Sequence, residues 1–351
     1  MTNIAKQAVG IDVAQKELVV SLGRMSHDTG IEIYGYKTFA NSIIGFKSLV
    51  SWVEKLSLDE LNVRYVMEAT GVYHESLAYY LSDQGNQVSI VLPNKISNYF
   101  RTLDIRTITD KTASQAICRF ALERRLEDWQ QPKKMYRMLK QLTRERDQLI
   151  VERTALKNQM HAELSEAFPN QSSVKRLFER IELINRHELE IKTELSRTVK
   201  EDAELSKKIS LITTIPGVGK LTALIVLAET NGFELIKSKK QLIGYSGLDV
   251  KVKDSGTSVK GKPRISKRGN RHLRKTMHMP ALAAIRNSGP HKDMFVRLVS
   301  GHGVKMKAAV AVQRKLLALI YTIFKTEKPY DKNYEKSIIN KEIMVRAATI
   351  K

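Results

Sequence analysis

No glycine occurs between Gly85 and Gly217, and Pro169 is the one proline between positions 133 and 215. A span so poor in turn residues and so rich in Lys, Arg, Glu and Leu can hardly fold except as long helices. Leu142, Leu149 and Leu156 recur every seven residues. Past Pro169, Leu177, Ile181, Ile184, Ile191, Leu195 and Leu205 keep a three-to-four spacing. Two long helices joined at Pro169, as a helical hairpin or coiled coil, are expected over 129–209. Glu188, Thr198 and Asp202 fall on the apolar seam, so the second helix should be imperfect. This arm carries no evident chemistry and reads as a spacer or a self-association element.

The first hundred residues have a different rhythm. Apolar, β-rich runs occur at Ala8–Val13, Leu18–Leu22, Ile31–Phe39, Val63–Met67 and Val88–Leu92, while Ile44–Leu56 and His74–Ser82 have helical spacing. Three strands with short connections imply an antiparallel meander, and the later alternation of strand and helix implies parallel additions. A mixed sheet covered by helices follows for 1–128. Residues 210–328 have apolar helical runs at 277–285 and 304–324 around a glycine-bearing basic loop, and 329–351 reads as a tail.

The net charge of +22 is concentrated. Residues 1–125 carry 14 Lys/Arg against 13 Asp/Glu and residues 126–236 carry 18 against 17, whereas 237–328 carry 22 against 4. A positive field of that density suits a polyphosphate, because released counterions favour binding. Nucleic acid is therefore the expected partner; a solvated basic loop is the plain alternative. A single cysteine, Cys118, excludes an internal disulfide framework and multi-thiolate zinc sites. The N-terminus lacks a signal-peptide core, and no apolar run reaches the roughly 20 residues of a membrane helix, so a cytoplasmic protein with no membrane partner is expected.

Three acids stand where strands or helices end. Asp12 closes the first apolar strand, in GIDVAQ; Glu68 closes the fourth, in VMEATGVY; Asp110 opens a helix, in TDKTASQAI. Each has an ordinary reading: a carboxylate turning a strand, or a helix N-cap. Together they could gather hard oxygen ligands for Mg²⁺ or Mn²⁺, as phosphoryl-transfer sites do. In IPGVGKLTA, Gly217 and Gly219 precede an apolar helix and suit a tight turn whose N–H groups face phosphate, in a helix-hairpin-helix-like element that adds Lys220. Lys260, Lys262, Arg264, Lys267, Arg268, Arg271 and Arg274 are the candidate nucleic-acid contacts of the basic stretch, which also contains DSGTS with Ser255 and Ser258.

These five segments, in this order from about residue 8 to 326, resemble the DEDD transposases of the insertion-sequence 110 family, which includes Piv-type DNA invertases and RNA-guided bridge recombinases. The resemblance implies an RNase H-like, RuvC-like first domain and a mainly helical C-terminal transposase domain. It also implies metal-holding acids at Asp12, Glu68, Asp110 and position 113. Here position 113 is alanine, which leaves three explanations open: a weakened enzyme, an engineered change, or replacement by Asp104. The resemblance further implies a serine nucleophile in the SG motif, with Ser255 the candidate by spacing and Ser258 the runner-up. Its implied partners are DNA ends and target, a noncoding guide RNA for some members, and further copies of the chain as a dimer or tetramer. The expected function is site-specific recombination in a bacterial, nucleoid-associated setting. A RuvC-type hydrolytic nuclease, or a nucleic-acid-binding protein whose site is dead through Ala113, are its rivals.

Overall fold

The computed structural model describes residues 4–331 except 70, 104–106, 108, 235, 252–253, 256–258 and 262; at 254, 255, 259, 260 and 302 it describes the backbone. Asp104, Ser258, Lys262 and the tail beyond 331 therefore lie outside the described residues. The chain divides into two compact units, Met1–Gln131 and Pro132–Lys351.

In the first unit, β1 (Ile4–Val13), β2 (Glu17–Ser26) and β3 (Ile31–Ala40) form the expected meander. They are followed by α1 (Ile43–Leu56), β4 (Val63–Glu68), α2 (Glu75–Asp83), β5 (Gln87–Val91), α3 (Pro93–Phe100) and α4 (Asp110–Glu123). The strand order is β3-β2-β1-β4-β5. β1 runs antiparallel to β2 and parallel to β4, and β4 runs parallel to β5. Successive residues of a strand point to opposite faces, and both faces of this sheet are apolar. Val9, Ile11 and Val13 of β1, with Tyr65 and Met67 of β4, pack among residues of α1 and α2. Ala8 and Val66 pack instead with Ile117, Cys118 and Phe120 of α4. Burial of those apolar side chains, at about 25 cal/mol per Å² removed from water, fixes both layers on the sheet. A mixed five-stranded sheet in this order, helices on both faces, is the RNase H-like fold.

In the second unit, α5 (Lys134–Leu164) and α6 (Gln171–Glu201) form the hairpin, with Asn170 capping α6 through hydrogen bonds to Ser172 and Ser173 N–H. Leu156 meets Leu177, Ile181 and Ile184 towards the turn, so the helices run antiparallel. The irregular seam positions have physical explanations. Glu188 is 5% exposed yet ion-paired with Arg146 at 2.8 Å, Arg153 at 2.5 Å and Lys192 at 2.9 Å. Burial alone would raise its carboxyl; hydrogen bonds from Lys192 and Arg153 and the charge of Arg146 hold it at about 2 instead. Asp202 ends α6 and caps α7 (Ala203–Ile212) by accepting the Leu205 N–H.

The rest comprises α8 (Lys220–Glu229), α9 (Lys239–Ser246), short strands β6 (Val250–Lys251), β7 (Asp254–Ser255), β8 (Val259–Lys260) and β9 (Arg264–Ile265), then α10 (Arg271–Thr276), α11 (His278–Arg286), α12 (Pro290–His302) and α13 (Lys305–Thr326). The expected basic loop differs from this: β6 pairs with β9 and β7 with β8, both antiparallel, as two nested ladders. Strand signals this short carry no clear periodicity, so the pairing was not legible beforehand. One core joins Leu139 and Leu142 of α5, Ile191 and Leu195 of α6, and the helices up to Phe324. The hairpin base is thus built into the same hydrophobic core as the basic region.

Candidate active site

The site in the first unit follows from strand parity. Ala8, Gly10 and Asp12 alternate with Val9, Ile11 and Val13, so Asp12 shares the sheet face on which α4 lies. Val66 and Glu68 share that face on β4 by the same count. The parallel register pairs Ile11 with Met67, so Asp12 and Glu68 are the next residues along two neighbouring strands. Asp110 is the first residue of α4.

α4 reaches this position through a backbone approach. A Cβ on Gly10 would stand 2.2 Å from Cys118 N and 2.3 Å from Ser114 O, so only glycine lets the helix backbone lie on β1 here. Ser21 Oγ and Ser114 Oγ share a buried hydrogen bond of 2.8 Å, and Cys118 Sγ donates to Ala8 O at 3.2 Å. Burial pushes the Cys118 thiol up to about 12, which agrees with a packed rather than reactive cysteine. Thr109, not Asp110, caps the helix: its hydroxyl accepts the Thr112 N–H, and Thr112 Oγ1 accepts the Thr109 N–H in return. The Asp110 carboxylate is therefore not consumed as an N-cap.

The three carboxylates feel one another. Burial, then the charges of Asp110 and Glu68, raise the Asp12 carboxyl to about 6, against a lowering hydrogen bond from the Val13 backbone. Among the described residues, however, no group of three His, Cys, Asp or Glu side chains is arranged to hold a metal ion. Asp12 and Glu68 therefore lie at neighbouring strand ends and Asp110 at the start of the helix on the same face, without the spacing of a formed metal site. The donor chemistry of the three, all hard carboxylate oxygen, suits Mg²⁺ or Mn²⁺. Ala113, one turn beyond Asp110 on α4, is half-buried and offers no oxygen.

The second unit holds the other candidates. Ser255 pairs with Val259 in the inner of the two nested ladders, and Lys260 pairs with Asp254. Gly217, at φ +88°, faces inward, where a Cβ would meet Pro280 O at 2.6 Å; Gly219 is open, and Lys220 is exposed at the start of α8. Arg264, Lys267, Arg268 and Arg271 are exposed. Arg274 is half-buried and donates to Ser246 O at 2.9 Å.

The sequence reading did not foresee a buried network beside them. Glu229 of α8, 2% exposed, accepts Arg144 Nε at 2.8 Å and Nη2 at 3.0 Å, and Asn270 Nδ2 at 2.7 Å. Asn270 in turn caps α10, accepting the His272 and Leu273 N–H groups. Asp147 of α5 also binds Lys275 at 2.5 Å. The long helix is therefore fastened to the segment bearing the basic side chains.

An RNase H-like sheet whose adjacent strand ends and helix start carry acids on one face, followed by a basic, mainly helical region, is the arrangement expected of the DNA transposase and recombinase class, and two family matches place the chain in it. A model of IS110 DEDD transposases, described as "Transposase", matches residues 9–169, and one described as "Transposase IS116/IS110/IS902 family" matches residues 209–297. The chain belongs to the IS110 family of DEDD transposases. Similar proteins include a pilin gene-inverting protein of Moraxella bovis, 28% identical over 94% of this chain and 99% of that protein. The corresponding protein of Moraxella lacunata is 29% identical over the same shares. The transposase for insertion sequence element IS1111A of Coxiella burnetii is 25% identical over 76% of this chain and 78% of its own length. Among solved structures, T. thermophilus RuvC in complex with a Holliday junction substrate aligns with 8% identity and a TM-score of 0.27, over 35% of this chain and 99% of that one. No helix of the described residues is long and apolar enough to cross a membrane.

Proposed function

We propose that the chain is a site-specific DNA recombinase of a mobile element, which cuts and rejoins strands through a covalent serine intermediate. The observation that supports this reading is the placement of Asp12, Glu68 and Asp110 on one face of the sheet, near enough that burial and the other two charges raise the Asp12 carboxyl to about 6. Those three residues would hold Mg²⁺ or Mn²⁺. A bound divalent cation there would supply positive charge to an attacking and a departing phosphodiester oxygen. Ser255, held in a short ladder within the basic segment, attacks phosphorus; a phosphoserine bond forms as one DNA P–O bond breaks, and reversal by a second DNA hydroxyl rejoins the strand. Exposed Lys220, Arg264, Lys267, Arg268 and Arg271 hold the backbone phosphates. A noncoding guide RNA and a dimeric or tetrameric assembly complete the reading as partners, on the strength of the family resemblance.

The experiment is incubation of the full chain with element-end DNA, Mg²⁺ and co-expressed flanking RNA, followed by denaturing gels. A protein–DNA adduct that vanishes in Ser255→Ala supports the serine step. Continued cutting by Ser255→Ala without any adduct in either form supports a hydrolytic nuclease instead. Ala113 bears on the same assay. Ala113→Asp places a carboxylate one helical turn from Asp110 and is expected to raise Mg²⁺-dependent strand transfer by about tenfold or more, the scale on which groups around a metal change its affinity. Equal activity and equal Mg²⁺ dependence in both forms would remove position 113 from the mechanism.

A further inference from the structure

We infer that Tyr36 and Lys111 form a platform on which an unpaired DNA base stacks beside the acidic site; this rests on the proposed reading of that site as acting on DNA. Tyr36 lies opposite Ser21 in the β2–β3 register. Ser21 points at α4, where its hydroxyl meets Ser114, so Tyr36 stands on the same face as Asp12, Glu68 and α4. The ring is 45% exposed on β3, an outer strand of the sheet. Lys111, the residue after Asp110, is exposed and sets its Nζ 5.0 Å from the ring centroid. An exposed cation thus lies over an aromatic face next to the residue that opens α4.

A scattered surface tyrosine needs no explanation; this one is distinguished by its neighbours. A strand whose phosphodiester is to reach three carboxylates meets repulsion there, and the unit that carries them has nearly balanced charge, 14 Lys/Arg against 13 Asp/Glu over residues 1–125. Besides the phosphate contacts of the basic region, a local contact at the acidic site would hold the strand there. A base stacks on the ring in place of the ammonium that lies over it, and the displaced ammonium meets the adjoining phosphate. The ligand class is a single-stranded or frayed deoxynucleotide segment. Regular duplex, with its bases already stacked on each other, has no face to offer.

The test uses the full chain and single-stranded oligonucleotides carrying 2-aminopurine at successive positions, with a duplex of the same sequence as the second probe. Wild type should quench the fluorescence at one or two positions. Tyr36→Ala and Tyr36→Leu should abolish that quenching and weaken single-strand binding by about five- to fifty-fold, while changing duplex binding less than twofold. Tyr36→Phe should behave as wild type, and Lys111→Gln should lower the salt dependence by about one phosphate contact. Quenching that survives in Tyr36→Leu, or equal single-strand affinity across the series, overturns the platform and leaves the wider function standing. Failure of the wild type to bind either probe overturns both.

Discussion

Gly10→Ala is expected to destabilise the first unit by about 3 kcal/mol or more, and to loosen α4 from the sheet. The added methyl would meet Cys118 N at 2.2 Å, Ser114 O at 2.3 Å and Cys118 Cα at 2.7 Å. All three are backbone atoms of one helix, so no rotamer change can relieve the clash; strand and helix must separate. Overpacking a core costs about 1–3 kcal/mol even where side chains can move aside, and here they cannot. Separation also breaks the buried Ser21–Ser114 bond and the Cys118–Ala8 bond. Urea unfolding should show the loss of stability. Labelling of Cys118, buried in the wild type, should accelerate in the folded variant. Gly244→Ala is the matched control: it lies inside α9 with nothing within 4 Å of an added Cβ, so stability should hold or rise by up to about 1 kcal/mol. Wild-type stability and thiol protection in Gly10→Ala would show that α4 does not depend on this close approach. Because α4 carries Asp110, the variant should also lose the proposed Mg²⁺-dependent activity together with its packing.

Arg144→Ala should cost the second unit about 3 kcal/mol. It removes both guanidinium hydrogen bonds from a carboxylate that is 2% exposed, while the hydrogen bond from Asn270 stays. Breaking one partner of a buried ion pair typically costs about 3–5 kcal/mol. The low end applies, because the Arg144 side chain is itself 42% exposed and water can reach the gap. Burial would by itself raise the Glu229 carboxyl, but the hydrogen bonds from Arg144 and Asn270 hold it below the usual carboxylate range. Without Arg144 the group should take up a proton more readily, with Asn270 and the charge of Lys140 still opposing it. The double variant Arg144→Met with Glu229→Met should recover part of the loss, since an apolar pair of similar volume leaves neither charge unpaired, although Asn270 Nδ2 loses its acceptor. A double-mutant cycle from urea denaturation measures the coupling; additivity of the two single losses would mean that the pair acts as two independent surface residues. DNA affinity should fall with Arg144→Ala as well, because Asn270 both binds Glu229 and caps the helix that bears Arg271 and Arg274.

Much of the first unit was legible in the sequence. The five apolar runs became β1 to β5, and the order of strand and helix signals was enough to imply a meander with parallel additions. The candidate acids could be placed at strand and helix ends for the same reason. Gly10 was visible as a glycine inside a β-rich run, which signals a close approach without saying to what. Thr109 as the cap was not read, because Asp110 is an equally good capping residue type and the choice depends on one residue of helix phase. Glu188 looked like a flaw in the seam of α6, since its three cationic partners include two from α5. The Ser255 segment reads as a loop because its strands are two residues long, too short to show an alternation of period two.

The residues by themselves determined the period of each element and therefore which side chains share a face: Asp12 with Gly10 and Ala8, Glu68 with Val66, Leu142 with Leu149. Tertiary structure decided which faces meet. Local sterics act between residues two to four apart and leave a periodic trace, whereas contacts such as Gly10 with Cys118, Arg144 with Glu229 or Glu229 with Asn270 join positions about 40 to 110 residues apart. Packing of whole elements brings those groups together, and no local pattern in the chain records the partner.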